Sequence, residues 1–174
     1  MLCRRNLRYQ GMAKSGKWNK TKDWFWEGNV QLKIADFMRE KENFTKIEVA
    51  DTLKKEQGPD IRAERKTKNG RIEIRQVAVK GYPSKYYTQG KKKGQVKRTS
   101  RSTQARHWFA QAILELILAK SRDENLQIAL GLPDFKVYRN LINRIKWFRK
   151  KVNLLCYLVN EKGEVKLLKP EENI

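Results

Sequence analysis

The dipeptide Asn69-Gly70 places a tight turn near the middle of this chain. Asn-Gly favours a two-residue turn with positive φ, because glycine has no Cβ and asparagine tolerates the left-handed region. The run 71–80 that follows alternates apolar and polar residues and becomes continuously apolar near its end, which is typical of a strand. A strand that leaves such a turn pairs with the segment before it. The sequence therefore predicts an antiparallel hairpin between a short strand at 60–64 and the strand at 71–80.

The chain before this hairpin divides into an arm and the start of a folded domain. Residues 1–22 carry seven basic residues, no acid and no hydrophobic period, so we expect a flexible basic N-terminal arm. Residues 23–174 are predicted to form a single domain. Helical spacing of apolar residues predicts a first helix over 24–39 with Asp23 as its N-cap. Alternation then predicts a first strand at 44–53.

The second half of the chain continues with helices and closes with strands. The Gly- and Pro-containing segment 81–101 is predicted to be a loop, and Ser102 or Thr103 caps the helix after it. A third helix is predicted after Leu132-Pro133-Asp134, and a hairpin between strands at 152–159 and 164–168 ends the domain. The order is helix, three strands, helix, helix, two strands. This order predicts an α/β fold with a mixed central β-sheet flanked by helices.

The charge distribution indicates a polyanionic partner. Forty Lys and Arg residues oppose nineteen Asp and Glu, which gives a formal charge of +21. Three acid-free windows, 1–22, 74–114 and 135–160, hold 24 of the 40 basic residues. Acid-free stretches on separate elements favour a track for phosphates over an evenly solvated surface. We predict nucleic-acid binding, with DNA favoured over RNA, and no membrane association.

Cysteine usage and the N-terminus predict an intracellular location. Cys3 and Cys156 are too few and too differently placed for a disulfide framework or a zinc site. The opening residues lack an apolar segment of signal-peptide length, and Met12 is an equally plausible start. The sequence therefore predicts a cytoplasmic, nucleic-acid-associated protein in a reducing compartment.

Three residues suit phosphodiester hydrolysis with Mg²⁺, which needs converging carboxylates and a cation near the attacking water or the phosphate. Glu27 lies three residues before Val30 on the buried stripe of the first helix, where an unpaired carboxylate would be costly. Asp60 follows Gly58-Pro59 at the start of a strand. Lys80 ends the strand that began after the Asn-Gly turn. Each has an ordinary structural interpretation when taken alone, and their order along the chain favours a shared site.

This arrangement resembles the PD-(D/E)XK nuclease superfamily, the restriction-endonuclease-like fold, over roughly residues 23–168. The resemblance rests on Glu27 on a first helix, Pro59-Asp60, a hydrophobic strand ending Ala78-Val79-Lys80, and a helix beginning near Gln104. It implies that Glu27 and Asp60 bind Mg²⁺, or Mn²⁺ in its place, together with the carbonyl of Val79. It also implies that Lys80 positions or activates water and that Gln104 supports it. Family members that cut both strands usually act as homodimers, so a homodimer is expected.

The sequence departs from the family pattern at one position. The family has Asp or Glu two residues before the lysine, because alternate strand residues share a face, and this chain has Ala78 there. Glu73 is expected on the opposite face, whereas Gln76 could offer a neutral oxygen and Glu64 could act as a migrated ligand. Two explanations remain open: a naturally inactive relative, or a deliberately disarmed nuclease.

The sequence therefore predicts a Mg²⁺-dependent DNA endonuclease that Ala78 disables. The alternative is a non-catalytic module that binds DNA or structured RNA, or a subunit of a larger nucleoprotein complex. Four tryptophans at positions 24, 26, 108 and 147 are expected in the core or at helix ends. Phosphate or base contacts are expected from residues of the loop and the following helix: Lys85, Tyr86, Lys91, Lys92, Lys93, Lys97, Arg98, Arg101 and Arg106.

Overall fold

The protein is described by a computed structural model at residues 20–54, 58–87 and 90–174. Most of the predicted N-terminal arm, residues 1–19, lies outside the described residues. Its last part forms a short 3-10 helix at Lys20–Lys22. Among the described residues, no helix combines the length and the apolar character that a membrane crossing requires.

A six-stranded mixed sheet forms the centre of the fold, with strands in the order β1-β2-β3-β4-β5-β6. The first three strands and the last two pair antiparallel, whereas β4 pairs parallel with both β3 and β5. The strands are β1 (Lys46–Val49), β2 (Ile61–Lys66), β3 (Ile72–Val79), β4 (Gln127–Pro133), β5 (Leu155–Val159) and β6 (Val165–Leu168). The helices are α1 (Glu27–Glu42), α2 (Arg101–Arg122), α3 (Lys136–Arg144) and α4 (Lys146–Val152). The predicted mixed α/β class with a central sheet is confirmed.

The helices cover the two faces of the sheet unequally. Helix α1 packs on one face, where Val77 and Val79 of β3 join its buried side chains. Helices α2 and α3 pack on the other face, together with Phe148 of α4, and Ala78 of β3 belongs to that core. Alternate residues of β3 therefore face different helices. The Ala78 side chain faces α2, whereas the side chains of Val77 and Val79 face α1.

The central hairpin is confirmed, but its turn differs from the predicted two-residue Asn-Gly turn, because the Gly70 N–H donates to the Thr67 carbonyl at 2.9 Å and Asn69 does not take a positive φ. Gly70 adopts a φ of 79°, and the N–H of Thr67 donates to the carbonyl of Arg71 at 2.8 Å. Lys66 then pairs with Ile72, and the register continues to the pair of Ile61 with Val77. This register sets the beginning of β2 beside the end of β3.

The helix boundaries differ from the prediction at their caps. Helix α1 begins at Glu27 and its N-cap is Trp26, so the prediction of Asp23 as the cap is wrong. The carbonyl of Asp23 instead accepts the backbone N–H of Trp26 at 2.9 Å and the Asn29 side-chain amide. The cap of α2 is Ser100, whose hydroxyl accepts the N–H of Thr103 at 3.1 Å. The predicted caps Ser102 and Thr103 lie inside the helix.

Strand β4 is the element that the sequence prediction missed. It lies between two parallel neighbours and is buried over 128–133. The predicted single helix after it is two helices, because the chain breaks at Ile145, with φ −100° and ψ 20°. The closing hairpin is confirmed around Gly163, which has a φ of 80°. Its first strand starts later than predicted, because Val152 still belongs to α4.

Candidate functional site

Lys80 lies where β3 ends, and two carboxylates surround its ammonium. The Lys80 Nζ atom is 3.3 Å from Glu115 Oε2 and 3.8 Å from Asp60 Oδ2. The Lys80 side chain is only 12% exposed, so these pairs are formed in a poorly solvated place. Its backbone N–H donates to the carbonyl of Gly131 at 3.0 Å, which fixes the end of β3 against β4.

Asp60 directly precedes β2, and a hydrogen bond from the backbone of β3 fixes its side chain. Its Oδ2 atom accepts the backbone N–H of Val79 at 2.6 Å. Burial raises the pKa of the Asp60 carboxyl, and the charge of Glu115 raises it further, against the lowering effects of Lys80 and the Val79 N–H. The hydrogen bond couples Asp60 to the Ala78-Val79-Lys80 segment. The pairing of β2 with β3 thus brings Asp60 next to the Ala78-Val79-Lys80 segment, although the two are far apart in sequence.

Glu27 reaches the same place from the first turn of α1. Burial, and next the charge of Asp60, raise the pKa of the Glu27 carboxyl to about 6, while Lys80 and the backbone N–H of Gly81 lower it. The backbone of Glu27 lies against Gly81, the residue after Lys80. The start of α1 is therefore next to the Asp60–Lys80 pair. We call Glu27, Asp60, Lys80 and Glu115 the Lys80 cluster.

Gly81 explains how the start of α1 comes so close to the end of β3. A Cβ on Gly81 would lie 2.7 Å from the carbonyl oxygen of Phe25 and 2.8 Å from the backbone nitrogen of Glu27. The next residue, Tyr82, donates its N–H to the same Phe25 carbonyl at 3.0 Å. Only glycine leaves room for this backbone approach. The Lys80-Gly81 sequence thus supplies both the cation and the space for Glu27.

Ala78 opens onto a pocket of about 310 Å³ beside the cluster. Asp60, Gln76 and Glu115 line the same pocket, so the position of the missing motif acid is bordered by other polar groups. Glu73 pairs with Arg65 at 2.8 Å and with Arg75 at 3.2 Å. It therefore lies on the face of β3 opposite Lys80, in agreement with the prediction.

The hypothesis that Glu64 is a migrated ligand is wrong. Glu64 pairs with Lys46 at 3.6 Å and lies four residues along the chain from Asp60. At the rise of an extended strand this separates the two residues by about 13 Å. The additional carboxylate comes instead from α2, at Glu115.

Sequence reasoning missed Glu115, although a signal for it existed. Glu115 follows an acid-free stretch that begins at Ile74, and it interrupts the otherwise apolar run 112–119. A single acid within such a run is expected to face a cation or a site. Its side chain is 41% exposed and also accepts the amide of Gln111 at 3.0 Å.

The site residue predicted on α2, Gln104, is engaged elsewhere. Its Oε1 atom accepts a hydrogen bond from Lys97 Nζ at 3.1 Å, and its amide nitrogen donates to the carbonyl of Thr99 at 2.9 Å. It lies eleven residues before Glu115, about 16 Å along the helix axis. Gln104 therefore fixes the loop before α2 and does not contact Lys80.

The composition of the cluster fits a divalent cation bound by few protein ligands. Lys80 pairs with Asp60 and with the partly exposed Glu115, and the nearby Glu27 adds a third carboxylate whose pKa is raised first by burial and next by the charge of Asp60. Within the described ranges, no three His, Cys, Asp or Glu side chains lie close enough to form a metal-binding group by themselves. Mg²⁺ is commonly held by one or two carboxylates, with water and substrate phosphates completing its shell. Glu27, Asp60 and the carbonyl of Val79 suit that pattern.

The predicted nucleic-acid residues fall into an exposed group and a packed group. Lys85, Tyr86, Lys91, Lys92, Lys93 and Arg98 are exposed in the loop before α2. Arg101 is packed, because its Nε atom donates to the carbonyl of Pro83 at 2.7 Å and its guanidinium lies over the Tyr82 ring. Lys97 is half-buried, and burial followed by the charge of Arg101 lowers its pKa. Arg106 is also exposed, on α2, and borders a separate pocket beside α3. The exposed loop residues and Arg106 are therefore the most accessible to phosphates.

The tryptophans do not all pack as expected. Trp24 stacks on Phe135 with ring centroids 5.2 Å apart, which agrees with the prediction. Trp147 is 69% exposed and contacts the Phe148 ring at the start of α4, so it lies at a helix end and not in the core. Trp26 and Trp108 are half-buried and line a pocket next to Glu27.

The fold and the cluster define a mixed α/β protein with a buried acid–lysine site between two helices and the end of a strand. No protein-family model, curated protein or solved structure matches this chain. The resemblance to PD-(D/E)XK nucleases therefore remains a proposal, which rests on the residues and on their arrangement.

Proposed function

We propose that the protein is a metal-dependent DNA endonuclease of the PD-(D/E)XK type, in which Ala78 strongly reduces phosphodiester hydrolysis. The observation that carries the proposal is the ion pair of Lys80 with Asp60 at 3.8 Å, beside the backbone contact of Gly81 with Glu27 from a third segment. Structural ion pairs seldom leave carboxylates in excess in a poorly solvated place, because an uncompensated buried charge is costly. A bound cation would offset that cost.

The order of elements supports a restriction-endonuclease-like core. Helix α1 precedes three antiparallel strands, and α2 then connects β3 to its parallel neighbour β4. This arrangement brings the ends of α1, β2 and β3 and the middle of α2 to one place. The family residues matched in the sequence come from those elements.

In this proposal each residue of the Lys80 cluster has one role. Glu27, Asp60 and the Val79 carbonyl bind Mg²⁺, or Mn²⁺ in its place. The metal, when bound, lowers the pKa of water and stabilises charge on the phosphate. Lys80 holds the attacking water or the scissile phosphate. Glu115 keeps the ammonium of Lys80 directed into the site, since the two atoms are 3.3 Å apart.

Ala78 accounts for weak catalysis in the same proposal. The motif acid would project into the pocket beside Asp60 and complete the ligand set. If its absence weakens several kcal/mol of metal-assisted stabilisation, cleavage slows on the order of a hundredfold to ten-thousandfold. The chain as it stands binds nucleic acid and cuts it poorly.

The Ala78→Glu variant tests this function directly. We expect Mg²⁺-dependent cleavage that exceeds that of the Ala78 protein by about a hundredfold to ten-thousandfold, with DNA affinity changed by a few fold at most. Ala78→Gln is the matched control, because it fills the same space without a charge. If Ala78→Glu cuts neither duplex, single-stranded nor branched DNA, the proposed function is wrong.

A non-catalytic nucleic-acid-binding module is the second candidate, and Ala78 itself favours it. Calorimetric titration with Mg²⁺ separates the two, because a pure binding module has no reason to bind metal through Glu27. The proposed nuclease binds Mg²⁺ and loses this binding in Glu27→Ala, whereas a pure binding module gives the same result for both proteins.

The partner and the assembly belong to the proposal as well. DNA is preferred over RNA, the location is cytoplasmic, and the active form is a homodimer, as family members that cut both strands usually are. Sedimentation with and without duplex DNA measures the assembly, and a monomer under both conditions contradicts the dimer.

A further inference from the structure

A second pocket adjoins the Lys80 cluster on the side away from Ala78. It has a volume of about 270 Å³, and both Glu27 and Gly81 lie in its wall. Its other walls carry the rings of Phe25, Trp26 and Trp108. Asp23 and Lys97 add one carboxylate and one ammonium. The pocket is thus aromatic, with a few polar groups, and is continuous with the proposed catalytic site.

Helix α2 lines both pockets with one face. Trp108 borders the aromatic pocket, and Glu115, seven residues later, borders the pocket at Ala78. Residues seven apart lie on the same face of a helix, about 10 Å apart along its axis. The same face of α2 therefore borders the aromatic pocket at Trp108 and the pocket at Ala78 at Glu115, which belongs to the Lys80 cluster.

The aromatic walls are fixed by packing. A Cβ on Gly28 would overlap the Trp26 ring, so this ring lies directly on the first turn of α1. Phe25 packs edge-on against Tyr82, and Tyr82 stacks on Phe135 with centroids 4.0 Å apart. A rigid aromatic wall loses little entropy when a ligand stacks on it.

Trp108 differs from its neighbours on α2. Ala105, Phe109 and Ala112 are buried in the core, whereas Trp108 is half-buried and contributes to the pocket. An indole that lines an open pocket with a half-buried ammonium nearby suits a flat, polar aromatic ligand. Lys97 is held towards this position by Gln104, at 3.1 Å.

We propose that this pocket binds one unstacked nucleobase of the strand whose phosphate lies at the Lys80 cluster. The base lies against Trp26 and Trp108, its polar edge meets Asp23, and Lys97 contacts the adjoining phosphate. A base inside a continuous duplex cannot enter, because it would have to leave the stack. The preferred ligand is therefore DNA with an unpaired or extruded nucleotide next to the scissile phosphate. This inference rests on the proposed function, since it takes the cluster as the phosphate site.

Binding to three matched DNAs tests the pocket independently of cleavage. The full chain, which cuts poorly, is titrated with Mg²⁺ present, so that the carboxylates of the Lys80 cluster do not repel the phosphate; the ligands are a flush duplex, the same duplex carrying a one-nucleotide bulge, and the bulge with an abasic residue. Base–aromatic stacking predicts affinity for the bulge about five- to hundredfold above that for the other two DNAs. Equal affinity for all three overturns the inference.

Variants assign the preference to the pocket. Trp108→Leu and Trp26→Leu are each expected to reduce the bulge preference at least fivefold, while flush-duplex affinity stays unchanged. Trp147→Leu is the matched control, because it removes an exposed tryptophan of α4 outside the pocket. 2-Aminopurine at the bulged position should lose fluorescence on binding, as stacking on an indole quenches it. A preference retained in both pocket variants, or lost equally in Trp147→Leu, overturns the inference.

The result is independent of the cleavage test. If Ala78→Glu cuts DNA but no bulge preference exists, the pocket assignment fails and the nuclease proposal stands. If Ala78→Glu is inactive while the bulge preference follows Trp108, the nuclease proposal fails and the pocket remains a base-binding site.

Discussion

Two clusters of buried charge lie at opposite ends of β3, and they are balanced differently. At the start of the strand, Arg75 is 2% exposed and pairs with Glu42 at 2.6 Å and Glu73 at 3.2 Å. Arg65 pairs with the same Glu73, and the Tyr157 hydroxyl donates to Glu42. Two cations meet two anions there. At the end of the strand, the Lys80 cluster sets three carboxylates against one ammonium.

The difference distinguishes a structural cluster from a candidate site. The Arg75 cluster satisfies its charges internally and holds α1 to the sheet. The Lys80 cluster has more carboxylates than ammonium groups, an imbalance that a bound cation would offset in the proposed function. The burial of a charged group does not by itself indicate function. The net charge of the cluster, counted over all its cations and anions, is a better indicator of function.

The largest expected effect comes from removing the cation of the balanced cluster. Arg75→Met leaves Glu42 and Glu73 without their buried partner and should lower the free energy of unfolding by about 3–5 kcal/mol. Urea denaturation measures this loss. Arg71→Met, at an exposed position next to the turn, is the control and should change stability by less than about 0.5 kcal/mol. A loss below about 1 kcal/mol for Arg75→Met would show that the cluster is not structural.

The next effect concerns the approach of α1 to β3. Gly81→Ala introduces a Cβ into contact with the backbone of Phe25 and Glu27, so it should cost about 1–3 kcal/mol of stability. Because Glu27 moves, we also expect Mg²⁺ affinity to fall at least tenfold. Calorimetric titration checks the affinity, with Ser84→Ala in the same loop as the control. Unchanged metal binding would mean that the position of Glu27 does not depend on Gly81.

Neutralising Glu27 should raise the free energy of unfolding of the metal-free protein, whereas the two substitutions above lower it. The folded pKa of Glu27 is about 6, above its ordinary value of 4.5. Below about pH 4.5 the Glu27 carboxyl is protonated in both the folded and the unfolded protein, and the free energy of unfolding has its full value. As the pH rises through 6, the unfolded chain ionises more readily than the folded protein, so this part of the free energy of unfolding is lost. Glu27→Gln mimics the protonated form at every pH. Its stability advantage should therefore grow from near zero at pH 4 to about 2 kcal/mol at pH 7.5.

Saturating Mg²⁺ sharpens this test. At a hundred times its dissociation constant, a ligand of the folded state adds about 2.7 kcal/mol, so Mg²⁺ should stabilise the natural sequence and not Glu27→Gln. Thermal unfolding at pH 7.5 with EDTA or Mg²⁺ measures both effects. If Glu27→Gln is less stable than the natural sequence in EDTA at this pH, the cluster is balanced without a metal.

The smallest effect on stability is expected from the exposed loop lysines. Replacing Lys91, Lys92 and Lys93 with Ala should change stability by less than about 0.5 kcal/mol. DNA binding should weaken mainly at low salt, and the slope of log affinity against log salt should decrease by about 2–3. Binding titrations at several salt concentrations measure the slope. An unchanged slope would refute phosphate contacts by this loop.

Local patterns predicted most of the elements, and tertiary context decided the rest. The Asn69-Gly70 pair predicted the hairpin correctly, because Gly70 takes the positive φ that a tight turn needs, although the turn itself is centred on Lys68 and Asn69. Strand β4 was missed because a parallel strand buried on both faces has no polar alternation, and its apolar run resembles a buried helix segment. The false helix cap at Asp23 arose because Trp26 takes that position without a capping side chain.

The site was predictable in part for a similar reason. Glu27, Asp60 and Lys80 each stand next to a boundary that the sequence marks, namely a helix start, a Gly-Pro and a strand end. Glu115 stands in the middle of a helix, so only the packing of α2 on β3 reveals that it meets Lys80. The aromatic pocket depends on the separation of Trp26 and Trp108 from the core, which periodicity does not reveal.

The backbone contact at Gly81 also bears on the order in which the protein matures. Glu27 can join Asp60 and Lys80 only after the amino-terminal helix has docked, and Glu115 only after the helical crossover has closed over the sheet. An intermediate that contains the hairpin alone therefore has no competent ion pocket. In the proposed nuclease, affinity for a divalent ion would report completion of the native topology.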